Sequence, residues 1–213
     1  MYGFTLAGWA SRNKYSLLGG LRSSAQMISY EIAMGMSVIG VVMVSGSFST
    51  NEIILNQAGW KWNVFLQPVG FLIFFIASLA ENNRTPFDFP EAEQELVAGY
   101  NTEYSSMRFG MFFLAEYANV AAASLIMVVL FFGGWHFPFL DWTAMGFADG
   151  SIWVALFQIL ITLFKIIVLV FVIIWIRWSI PRFRYDQLMR LGWHILLPLS
   201  LLNIVITACV IYF

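Results

Sequence analysis

The sequence predicts an all-α polytopic membrane protein with five full transmembrane helices and the end of a sixth at its N-terminus. Three observations predict it. Of 213 residues, 60% are hydrophobic and only 11% charged, against roughly 25% charged in soluble domains. Five stretches run to about 20 mostly apolar residues, the length that crosses a ~30 Å hydrocarbon core. The apolar runs are also continuous, without the alternation of β-barrel strands. This composition excludes an ordinary cytosolic enzyme, a nucleic-acid binder and a disordered chain. One cysteine, Cys209, excludes a disulfide framework and an iron–sulfur site held by this chain alone. Two histidines, His136 and His194, are too few for a bis-histidine haem pair and anything else.

The elements follow in order. Residues 1–9, MYGFTLAGW, have no basic leader and no cleavage site of small residues, so they read as the stump of a span and not as a signal peptide. The expectation is a chain incomplete at its N-terminus. Full spans are expected at about 23–45, 62–81, 107–132, 152–178 and 193–213, forming one transmembrane domain over 1–213 with an acidic loop at 82–106. Arg12, Lys14, Arg22, Arg84, Arg108, Arg177, Arg182, Arg184 and Arg190 all fall on one side of this alternating path. By the positive-inside rule that side is cytoplasmic, or matrix in an organelle. Lys61 faces the other side and Lys165 lies within a span. The opposite loop, GGWHFPFLDWTAMGFADG, has no Lys or Arg but many aromatics, as an interfacial belt does.

Three ionisable residues fall inside spans: Glu31, Glu116 and Lys165. A charge at mid-membrane costs about 2.5–3.5 kcal/mol on insertion scales, so each should face protein or water. The bland reading is an ion pair or a water-bridged bond between helices. The functional reading is a proton relay, since a desolvated carboxyl can hold or release a proton near neutral pH.

The loop AENNRTPFDFPEAEQELVAGYNTEYSSMRFG holds Glu81, Asp88, Glu91, Glu93, Glu95 and Glu103, half of the twelve acids. Asp88, Pro90 and Glu91 look like a helix start, and Gly99 like its stop, giving a short helix over Phe89–Ala98. Glu91 and Glu95 would share one face of it at the i,i+4 spacing, where like charges repel. A solvated acidic surface is the usual reading of such a run. Against it stand Phe87, Phe89, Leu96 and Tyr100, which want burial. Carboxylates also continue from Glu81 and Glu103 to Glu116, toward the bilayer. A second cluster, IRWSIPRFRYDQLMRLGW, reads first as arginines anchoring a helix pair at the interface. Its Arg182, Arg184 and Asp186 also suit a docking partner or an acidic lipid head group.

EIAMGMSVIG, AENNRTPFDFPEAEQELVAGYNTEYSSMRFGMFFLAEYAN and WIRWSIPRFRYDQLMRLGW resemble the H subunit of respiratory complex I, subunit 1 of the mitochondrial enzyme. The resemblance covers essentially the whole chain, and the 40-residue middle block is highly specific. It implies a subunit of eight spans that anchors the peripheral arm and walls the chamber where ubiquinone or menaquinone is reduced. Asn82–Met107 matches the loop facing that chamber. Glu81, Asp88, Glu91, Glu95 and Glu103 match the acids linking quinone chemistry to the first membrane proton path, and Glu31 and Glu116 match its buried carboxylates. Arg84, Arg108, Arg182, Arg184 and Asp186 match positions near the chamber wall and the arm interface.

Roughly the first third of a family member has no counterpart here, and His194 stands where the family usually has lysine. The resemblance implies no cofactor bound by this chain alone. Quinone is implied as substrate, and FMN and iron–sulfur clusters are implied in partner subunits. The implied partners are quinone-site and iron–sulfur subunits of the peripheral arm, small and antiporter-like membrane subunits, and the bilayer. The implied location is the bacterial inner membrane, or the mitochondrial inner membrane.

The expected mechanism is electrostatic. Quinone reduction consumes protons and changes local charge, which alters the proton affinity of Glu91, Glu95 and Glu103 and drives reprotonation of Glu81, Glu116 and Glu31. Three alternatives stand beside it. An anchor subunit of a membrane-bound hydrogenase or ferredoxin-linked complex would share the homologous blocks. A secondary transporter should show an internal repeat or a broken helix pair, and the sequence shows neither. A purely structural anchor leaves Glu31 and Glu116 unexplained.

Overall fold

A computed structural model describes residues 2–83, 86–88, 103–137, 152–181 and 183–212. The helix expected over Phe89–Ala98 lies outside them. Among the described residues every regular element is helical: α1 (Tyr2–Ala10), α2 (Lys14–Ser45), α3 (Thr50–Asn56), α4 (Asn63–Leu66), α5 (Pro68–Glu81), α6 (Ser106–Phe131), α7 (Ile152–Ser179) and α8 (Tyr185–Tyr212). The chain is thus an all-α, multi-pass membrane protein. Four of these helices, α2, α6, α7 and α8, are long and apolar enough to cross a membrane.

The centre is α2, which packs against α1, α5 and α8. Asn13 starts it: its side-chain Oδ1 accepts from the backbone N–H of Tyr15 at 3.1 Å. That cap places the start at Lys14, well before residue 23. Gly46, at φ 68°, ends it by donating its N–H to Val42. Along the packed face run small residues, Gly19, Gly20, Ser23, Ser24, Ala33, Ser37 and Gly40. In lipid there is no hydrophobic drive between helices, and close backbone approach over small residues replaces it. At Gly8 and Gly20 the approach is so close that an added Cβ would lie 2.6 Å from the Ser16 carbonyl oxygen and 2.7 Å from that of Phe4.

The expected continuous span over 62–81 is broken. Gln67 has φ −134° and ψ 63°, and α5 begins after it with Pro68 in its first turn. Proline has no N–H to continue the ladder, and its ring pushes the preceding residue out of the helical region. The 14 residues of α5 reach only about 21 Å, short of the hydrocarbon core. The segment expected as one span over 62–81 is thus made of two helices, α4 and α5, joined at Gln67. The Gln67 amide is buried at the break, donating to the Gly40 carbonyl at 2.9 Å and to Thr207 Oγ1 at 3.0 Å.

The far end of α6 shows how a helix ends where water is scarce. Its last carbonyls have no partner within the helix. Three side chains from other elements supply donors: Gln57 to Val129 at 3.1 Å, Asn63 to Leu130 at 2.8 Å and Lys165 to Phe132 at 2.7 Å. The Lys165 ammonium also donates to the carbonyls of Gly134 and His136, at 2.8 and 2.6 Å, and lies 4.7 Å from the Trp62 ring centre. All three of its protons are engaged, and its charge faces the negative end of the helix dipole. Of the readings open for Lys165, the structure shows a bond between helices, made to backbone carbonyls.

In α8 one π turn, Leu191–Leu196, precedes Pro198. The wider turn accommodates the N–H that proline lacks. It also brings the helix onto α2, where Tyr30 OH donates to the Leu188 carbonyl at 3.0 Å and Trp193 Nε1 to Ser29 Oγ at 3.0 Å. His194 sits within this turn.

Candidate functional site

The site forms where α5 gives way to the acidic loop. Gln26, fully buried on α2, donates through Nε2 to the carbonyls of Ala80 at 2.8 Å and Phe87 at 3.0 Å. One amide thus fixes both the end of the helix and the chain beyond it. The backbone turns at Asn82 and Asn83, the latter at φ 50°, a left-handed conformation that asparagine tolerates better than most residues. Phe87 is buried and stacks on Phe183 at 5.6 Å, while the Phe183 N–H donates to the Pro86 carbonyl at 3.2 Å. Pro86 and Phe87 of the loop's first stretch therefore meet Phe183 of the second cluster in space.

Between α1, α2, the end of α5 and α6 lies a cleft of about 310 Å³, walled by Phe4, Met27, Phe112 and Ala115, with Glu81, Glu116 and Asn119 opening into it beside Asn82 and Asn83. Both carboxylates are half-buried. Asn119 Nδ2 donates to Asn82 Oδ1 at 2.8 Å, and Asn83 Nδ2 to Ser23 Oγ at 3.3 Å. The remaining atoms of the two loop amides, Asn82 Nδ2 and Asn83 Oδ1, are buried without a hydrogen-bond partner. Each such atom costs about 1–3 kcal/mol when left dry.

The structure thus brings Glu81 and Glu116 to one cavity. Glu31 lies exposed on α2, close enough for its charge to act on Glu81. Glu103 accepts from Asn13 Nδ2 at 3.0 Å and is exposed, next to Tyr104, whose hydroxyl donates to the Ala7 carbonyl at 3.1 Å. Asp88 is half-buried behind Phe87. Arg108, Arg184 and Asp186 are exposed and line no common cavity with the carboxylate pair. Arg84, Glu91, Glu95 and Arg182 lie outside the described residues, as does Glu93. Among the described residues no group of three His, Cys, Asp or Glu side chains comes together to hold a metal ion.

Sequence reasoning overlooked the amides. Gln26 carried no signal, since its partners are backbone carbonyls far along the chain. Asn119 did carry one: it follows Glu116 by three residues, which puts both on one face of α6.

At the opposite end of the bundle, burial lowers the pKa of His136 below its ordinary 6.5, and the Lys165 charge adds to the effect. The folded state therefore refuses a proton that the unfolded chain accepts. Stability is whole above pH 6.5 and falls as the pH drops toward the folded value. We expect the melting temperature of the purified protein to fall between pH 7 and pH 5.5, and a His136→Gln variant to lose that part of the slope. An unchanged slope would show that His136 is free to protonate in the fold.

A family model described as NADH dehydrogenase matches residues 1–208. NADH-quinone oxidoreductase subunit 8 of Rhodothermus marinus is 54% identical over 98% of this chain and 63% of its own. The H subunit of the same enzyme from Flavobacterium psychrophilum is 50% identical over 100% of this chain and 62% of its own. An H subunit from Geobacter sulfurreducens is 54% identical over 99% and 56%. The chain spans 56% to 63% of the length of these three relatives.

Proposed function

Because the chain belongs to the NADH dehydrogenase family, we propose that it acts in the membrane arm of an NADH:quinone oxidoreductase. There it walls part of the quinone chamber and passes protons between that chamber and the membrane interior. The observation that carries this reading is the convergence of Glu81 and Glu116 on one cleft, beside Asn82 and Asn83 where the acidic loop begins. The loop's own acids, Asp88, Glu91, Glu95 and Glu103, face the chamber in this reading. Arg84, Arg108, Arg182, Arg184 and Asp186 serve its wall and the interface with the peripheral arm.

The chain's residues hold and move protons and carry no electrons. FMN and iron–sulfur clusters in the peripheral-arm subunits deliver electrons to quinone, the substrate. When quinone takes up electrons and protons, the charge beside the loop changes. Neighbouring carboxylates respond because a nearby charge alters proton affinity most strongly where solvent is excluded. Glu81 receives that change at the loop, Glu116 shares its cleft, and Glu31 lies within electrostatic reach, leading toward small and antiporter-like membrane subunits. The setting in this reading is the bacterial inner membrane. The interrupted segment at Gln67 is a feature that a transporter reading would claim. It lies at the far end of α5 from the carboxylates and has no titratable side chain among its hydrogen-bond partners.

The test replaces Glu81 or Glu116 by glutamine in the assembled complex. Each glutamine keeps size and hydrogen bonding but cannot carry a proton. We expect proton translocation to fall by about ten-fold or more, with the complex still assembled. Normal translocation at normal turnover in both variants would sink the relay.

A further inference from the structure

We propose that the cleft beside Glu81 and Glu116 is a water-binding site, in which Asn82, Asn83 and Asn119 hold the water that joins the two carboxyl groups. This rests on the relay reading above and adds the residues that would make it conduct. The argument starts from the two unpartnered amide atoms. Asn82 and Asn83 are 3% and 7% exposed, and both line the cleft. One end of each amide is already engaged, by Asn119 and by Ser23. What remains is one donor, Asn82 Nδ2, and one acceptor, Asn83 Oδ1. An anion would use only the donor, and a cation only the acceptor. Water donates and accepts, so it satisfies both.

The space agrees. At about 310 Å³, the cleft exceeds by several-fold the ~30 Å³ that one water occupies in the liquid. Its lining offers the polar groups of Glu81, Asn82, Asn83, Glu116 and Asn119, and an ordered water needs two to four such partners. Phe4, Met27 and Phe112 supply apolar wall. The asparagines are positioning residues. They do not titrate, so they orient the water equally whichever carboxyl carries the proton. In each transfer one O–H bond breaks at the protonated carboxyl while each water passes a proton on. One O–H forms at the other carboxylate, and no water is consumed.

Asn119 sets the arrangement, because its Nδ2 occupies Asn82 Oδ1 and leaves the Asn82 donor for the cleft. In the assembled complex, Asn82→Leu removes that donor at similar volume. We expect its proton translocation to fall about ten-fold, the upper end of the scale for one lost neutral hydrogen bond. Rates are normalised to assembled complex, counted by NADH oxidation with an artificial acceptor. The solvent deuterium isotope effect on translocation should rise, because the broken hop becomes limiting. Asn82→Ser, which keeps a hydroxyl, should restore both rate and isotope effect. If Asn82→Leu does not assemble, Asn119→Leu tests the same site from the exposed face of α6, with the same expected loss.

Wild-type translocation in Asn82→Leu or Asn119→Leu, alongside an inactive Glu116→Gln, would overturn the water site and leave the carboxylate relay standing. Normal translocation in Glu81→Gln and Glu116→Gln would remove the relay itself. A high-resolution map of the whole complex gives the direct reading. Water density within hydrogen-bond distance of Asn82 Nδ2 and Asn83 Oδ1 is expected. A dry cleft, or one filled by a lipid chain or a neighbouring protein's side chain, would overturn the proposal.

Discussion

Lys165→Met is expected to cost about 3 kcal/mol or more and to leave most of the protein unassembled. The variant keeps the length and apolar contacts of the side chain and removes only the ammonium. Three carbonyls then lose their donor together, those of Phe132, Gly134 and His136. An unmet buried polar group costs about 1–3 kcal/mol, and water cannot substitute freely at this depth. The cation over Trp62 and the charge opposing the α6 dipole are lost as well. Lys165→Arg should recover part of the loss, since it keeps the charge but offers a planar fork in place of three converging protons. The measurement is thermal unfolding of the purified complex, with the assembled fraction recovered from membranes. A Lys165→Met protein with wild-type melting and yield would show that the end of α6 is satisfied by other means.

The second large effect is expected at Gly20. Its missing Cβ would meet the Phe4 carbonyl oxygen at 2.7 Å, a backbone atom that cannot rotate away. Gly20→Val must therefore push α1 off α2, at a cost of about 1–3 kcal/mol for overpacking, or more. The consequence reaches the cleft, because Phe4 is one of its walls. A sensitive report is available in the Thr5 and Ser24 hydroxyls, 2.6 Å apart across the two helices. Thr5→Cys with Ser24→Cys should cross-link on mild oxidation in the otherwise unaltered chain and fail to do so with Gly20→Val added. Gly35→Val is the control, since a Cβ there meets nothing within 4 Å. Equal cross-linking in the Gly20→Val background would mean that the two helices are not seated at this separation.

Much of the candidate site was legible because polar residues stand out against an apolar background. Glu31 and Glu116 were conspicuous for that reason alone, and Glu81, at the end of a span beside the acidic loop, continued the same run of carboxylates before the family resemblance pointed to it as well. The break at Gln67 was also written locally, in the dipeptide Gln67–Pro68, but the mostly apolar character of 62–81 outweighed it. Other features belong to tertiary contact and have no local trace. Nothing near Lys165 announces that its partners are the terminal carbonyls of another helix. Nothing near Gln26 announces the carbonyls of Ala80 and Phe87. Asn82 and Asn83 read as ordinary turn formers, which they are. Their second role follows only from knowing which halves of their amides are already engaged.

The cap on α6 also bears on how the protein is made. Gln57 and Asn63 are synthesised before α6, so two of its terminal carbonyls find donors as soon as the helix forms. The third donor, Lys165, emerges 33 residues after the carbonyl it serves at Phe132. Until then the end of α6 cannot be released into lipid without exposing bare peptide groups, and Lys165 cannot enter lipid without them. Each makes the other's passage out of the translocation machinery tolerable, so α6 and α7 have reason to partition into the bilayer as one hairpin.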